Sequence, residues 1–111
     1  MAVDPNAYWL LIAVLQSTLP LEPALAMRLY GAAIDLHRRE AGVAKLTGDL
    51  ALGEVRRLGK SLVLGSIAGP GFEATVDTPK GSGTVRFILT RHALESEGLE
   101  GEPPAPRGMM N

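Results

Sequence analysis

Residues 50–66 read LALGEVRRLGKSLVLGS, and the fold turns on this stretch. Val55, Leu58 and Leu62 recur at spacings of three and four, which is the period of one helical face. Thr47 or Asp49 stands ahead of them as an N-cap. The spacing therefore predicts a third helix from about Leu50 to Ser66. Gly53, Gly59 and Gly65 recur every six residues, an interval that does not return to one helical face, and each lowers helix propensity. They are read as a coincidence, or as a break near Gly59, rather than as a packing motif.

Downstream, Gly69-Pro70-Gly71 is a strong break. Phe72, Ala74 and Val76 then alternate with Glu73, Thr75 and Asp77. Val85, Phe87 and Leu89 alternate with Thr84, Arg86 and Ile88, and residues 78–83 between the two runs are turn formers. This pattern predicts a β-hairpin with one apolar face and a long loop. Thr90 caps a short helix, Arg91 to Glu97, which Gly98 ends. Residues 99–111 form an acidic, proline-rich tail, expected to be extended or disordered unless a partner holds it.

Upstream, Asp4-Pro5 is a helix start, so a first helix is expected from about Pro5 to Thr18, stopped by Pro20. A second runs from about Glu22 to Ala41, with Leu25, Leu29, Ala32 and Leu36 on one face and Gly42 as its C-cap. The expected fold is α+β: a three-helix core, a hairpin and a short C-terminal helix. It forms one domain over residues 1–98, with the tail after it. By element order alone this is the arrangement of a winged helix-turn-helix module.

Composition narrows the function classes. Leu, Ile, Val and Phe make up 30 of 111 residues, too many for a disordered chain. The absence of cysteine excludes a disulfide scaffold, a Cys-type zinc finger and a thiol nucleophile. The first apolar run, Tyr8 to Leu15, is too short to span a bilayer, and only Asp4 precedes it where a signal peptide needs basic residues. A cytoplasmic protein is expected.

Catalytic and metal signals are weak. His37-x-x-Glu40 and His92-x-x-Glu95 could each share a helical face, but the bundle metal motif runs Glu-x-x-His and needs further glutamates. Gly59-Lys60-Ser61 resembles the end of a phosphate loop, yet Glu54 stands where that motif needs glycine. Gly69-Pro70-Gly71 lies before a strand, whereas a dinucleotide site must open a helix. Ser82 sits between glycines in a turn. No catalytic residue, metal, cofactor or small-molecule substrate is predicted, and the chain is not expected to be an enzyme.

The net charge of -1 hides a split. Residues 21–90 carry nine Lys/Arg against seven Asp/Glu, and residues 91–111 carry two against four. Two functions follow as expectations. The first is a protein-binding or assembly module, with a protein partner or a homo-oligomer engaged through Tyr8, Trp9, Leu11 and Ile12 of an apolar first helix. The second is duplex-DNA binding, with Arg56, Arg57 and Lys60 on the third helix, Lys80 at the hairpin tip and Arg86 nearby. Against the second stands a pI near 6.1, low for a nucleic-acid domain.

Overall fold

A computed structural model of the chain describes residues 10–46, 48 and 50–99. Seven elements follow in order: β1 (Ile12–Ser17), α1 (Pro23–Arg39), β2 (Val43–Leu46), β3 (Leu52–Leu64), β4 (Ile67–Thr78), β5 (Gly81–Leu89) and α2 (Arg91–Ser96). The strands form one sheet in the order β1-β5-β4-β3-β2, and every neighbouring pair is antiparallel. The chain starts at one sheet edge, crosses through α1 to the other, and returns strand by strand.

This is not the expected three-helix core, and the winged-helix arrangement falls with it. The described part of the expected first helix is the edge strand β1. A short apolar run such as Leu10 to Leu15 has no period that separates helix from strand, and here it completes the sheet beside β5. The expected third helix is the strand β3. Arg57 faces Phe72 and Ser61 faces Pro70, so three residues of β3 oppose Gly71 alone. The alternation of faces is the same on both sides of this irregularity, so Val55 and Leu62, an odd number of residues apart, lie on opposite sides of the sheet: Val55 is in the core, and Leu62 packs over Gly71.

Gly53 shows why this stretch is a strand. Its φ is +141°, a backbone that L residues rarely adopt, and a Cβ there would lie 1.9 Å from the Thr75 carbonyl oxygen. Neither feature belongs to a helix interior.

Helix α1, the β4–β5 hairpin and α2 stand near their expected places, but β4 runs through Gly69-Pro70-Gly71, which is therefore not the expected break. Helix α1 buries Leu25, Leu29, Ala33 and Leu36, and Ala32 is half-buried beside them. Its left-handed C-terminal residue is Glu40, not Gly42. The β4–β5 hairpin closes at Thr78 opposite Gly81, leaving a loop of Pro79 and Lys80 that is tighter than expected. The Thr90 side chain accepts from the Ala93 amide to cap α2. Leu99 packs against the core, while residues 100–111 of the expected tail lie outside the described residues.

The core lies between α1 and one face of the sheet. Phe72 and Phe87 stack there with ring centroids 5.6 Å apart. Val55, Ala74, Val76, Val85 and Leu89 extend that layer, and Ile12 joins it from the edge. The other face carries the alternate residues and is mostly polar.

Candidate interaction site

The five basic residues do not all share one surface. Arg56, Glu73 and Arg86 stand side by side on three neighbouring strands of the polar face. Glu73 lies between the two guanidinium groups, 4.0 Å from Arg56 Nε and 2.9 Å from the Arg86 Nη2 nitrogen. One register step away, Lys45 Nζ lies 3.9 Å from Glu54. Each cation thus has an acid beside it, and the face carries no basic footprint. Arg57, next in β3, alternates to the helix side, where its charge reaches His37. Lys60 sits at the β3 irregularity, and Lys80, in the β4–β5 turn, donates to Glu22 at 2.5 Å. No helix presents Arg56, Arg57 and Lys60, so the major-groove arrangement expected for them does not exist.

The histidine–glutamate pairs separate as well. His37 packs at the end of α1, and its Nδ1 is buried with no hydrogen-bond partner among the described residues. Burial and the nearby Arg57 charge push the imidazole below its ordinary value, against a weaker opposing pull from Glu40. Glu95 pairs with Arg91 rather than joining His92 in a ligand set. Among the described residues, no three His, Asp or Glu side chains come together as a metal site. Glu97 instead ties two elements: it accepts from Tyr30 Oη at 2.9 Å and from Arg38 at 2.6 Å. Those two bonds, Tyr30 first, hold its carboxyl below the usual glutamate range.

The feature that stands out is apolar. A groove of ≈550 Å³ runs along β1. Ile12, Ala13 and Val14 of β1 line it with Leu10, Leu21, Leu64, Ile67 and Thr90. Leu10 is 68% exposed, Leu64 43% and Ile67 38%. Such large apolar side chains left in water within one concavity mark a contact surface better than scattered ones do.

The β3–β4 hairpin carries an irregularity at Leu58–Lys60, and extra residues in one strand bend it and increase its twist. Beyond it, β4 runs beside the end of β5. Gly69 lies so close there that a Cβ would meet the Leu89 carbonyl oxygen at 2.3 Å and the Ile88 side chain at 3.0 Å. Leu64 and Ile67, at the far end of this hairpin, line the groove together with β1. Thr90 fixes the other side, with its hydroxyl within 3.0 Å of the Leu10 carbonyl and 3.1 Å of the Leu11 carbonyl.

Of the residues expected at an interface, Tyr8 and Trp9 lie outside the described residues. Leu11 is half-buried against the core, and Ile12, only 2% exposed, belongs to it. Leu10, Leu64, Ile67 and Thr90 were missed. Leu64 and Ile67 are about fifty residues from β1 in sequence, and no local pattern links them.

A second concavity of ≈360 Å³ lies between the β1–α1 linker and the β4–β5 turn, with Leu19, Pro20, Leu25, Leu50 and Pro79 among its walls. The Lys80–Glu22 ion pair belongs to its lining. Among the described residues, no helix is long and apolar enough to cross a membrane. Comparison of the chain with family models, curated proteins and solved structures finds no match.

Proposed function

We propose that this chain is a protein-binding or assembly module that acts by binding, without catalysis, through the apolar groove beside β1. The supporting observation is that Leu10, Leu64 and Ile67, all substantially exposed, line one concavity along an edge strand. An edge strand flanked by apolar side chains suits the addition of an extended segment, with main-chain hydrogen bonds giving affinity and side-chain pockets giving selectivity. The mutually compensated charges of the opposite face favour this reading over a nucleic-acid one.

A photo-crosslinking residue at Leu64 tests it in cells. A discrete protein adduct is expected from that position and not from Arg86 on the charged face. No protein adduct at Leu64, or equal adducts at both positions, would remove the proposal.

A further inference from the structure

We infer that the occupant of the groove is a second copy of this chain, whose β1 lies antiparallel to the first across a two-fold axis, joining two five-stranded sheets into one. This rests on the reading of the groove as a protein-docking surface, and it names the partner.

The sheet has two outer edges, and they differ in charge. Residues 10–21, LLIAVLQSTLPL, span β1 and its flanks without one charged side chain. The residues lining the groove are likewise uncharged. The opposite edge is β2, four residues long, and it carries Lys45 with its side chain 77% exposed. Across a two-fold axis every group near the axis meets its own kind, so pairing through β2 would take the exposed Lys45, held only at 3.9 Å from Glu54, out of water beside its own copy. Proteins use edge lysines to block such pairing. Among the described residues, β1 is the edge that a copy of itself can approach without charged side chains at the seam.

The hydrogen-bonding geometry agrees. The Thr90 amide donates to the Leu11 carbonyl, which turns Leu11 toward β5. Alternation along the ladder then turns the main-chain groups of Ile12 and Val14 away from β5, toward the open side. Beyond Val14 the register with β5 shifts before Gln16, and such an irregularity interrupts the straight edge. The pairing segment is therefore short and is used up by one partner. That favours a closed pair over a growing filament. Leu10, Leu64 and Ile67 of each copy then meet the other copy instead of water.

Sedimentation equilibrium of the full chain over a wide concentration range tests this. The expected result is a species of twice the 11.7 kDa chain mass. Leu64→Asp with Ile67→Asp, both at exposed positions, should weaken association by about a hundredfold or more while the far-ultraviolet circular dichroism stays unchanged. Lys45→Ala on the other edge should leave association intact. If the double variant fails to fold, Leu10→Asp at the most exposed of these positions replaces it. A chain monomeric at the highest concentration, or a folded groove variant that still associates fully, overturns the inference. The crosslinking residue at Leu64 separates it from the broader proposal. An adduct of the chain with itself supports the second copy. An adduct with a different protein alone overturns the second copy and leaves the module reading standing.

Discussion

Gly53 and Gly31 both sit inside regular elements, yet alanine at the two positions should move stability in opposite directions. Gly53 has φ +141°, and its Cβ would strike the Thr75 carbonyl oxygen. Gly53→Ala is expected to cost about 1–3 kcal/mol or more, the range for a strained backbone. Gly31 lies in exposed α1 with nothing within 4 Å of a Cβ. There alanine should add roughly 1 kcal/mol by helix propensity and by restricting the unfolded chain. Urea midpoints measure both, and a Gly53→Ala chain as stable as the parent would contradict the close approach. Glu97 sets a pH dependence. Its carboxyl ionises more readily in the folded chain than in the unfolded one. Its contribution is therefore present above the ordinary glutamate value and is lost as pH falls through the lowered folded value. Glu97→Gln should flatten the acid limb of a stability–pH curve, and an unchanged limb would show that the Tyr30 and Arg38 bonds contribute nothing there.

At the scale of elements, the β3 irregularity lies between the paired body of the sheet and the hairpin end that lines the groove. Three residues, Leu58 to Lys60, oppose Gly71, so deleting Gly59 and Lys60 would restore one-to-one pairing from Arg57 to Ser61. The hairpin should then run straight, and Leu64 and Ile67 should leave β1. The expected outcome is loss of nuclear Overhauser contacts between Ile67 and Leu10, together with loss of self-association, in a chain that keeps its strand content. Persistence of those contacts would place the cause of the bend elsewhere. Val55, Leu58 and Leu62 look helical in the sequence because their spacings are three and four, but Val55 and Leu62 are an odd number of residues apart and so lie on opposite faces of the strand. The β4–β5 hairpin has no such interruption, and its alternation is plain from Phe72 onward.

The whole molecule is closed by its most distant pairing. Ile12 faces Leu89, Val14 faces Phe87, and the Thr18 amide bonds the Thr84 carbonyl at 3.0 Å. These contacts span most of the chain and carry a large ordering cost before they stabilise anything. Removing residues 1–17 would strip β5 of its neighbour and expose Val85, Phe87 and Leu89, all fully buried. That truncation should abolish the cooperative thermal transition. A truncated chain that still melts cooperatively would show that α1 and the four remaining strands suffice.

The sequence by itself determined the elements whose cause is local. Helix α1 follows from the spacing of Leu25, Leu29 and Leu36, the β4–β5 hairpin from strict alternation, and α2 from the Thr90 cap. The tertiary structure decided β1, β3 and the groove. An apolar run such as Leu10 to Leu15 takes whichever conformation its partner supplies, and here the partner is β5. The apolar residues of β3 fall on both faces, so no alternation marks it as a strand, and only pairing with β4 and β2 reveals it. The groove joins β1 to a hairpin tip about fifty residues away. A site of that kind is set by how a sheet bends, and no stretch of neighbouring residues encodes it alone.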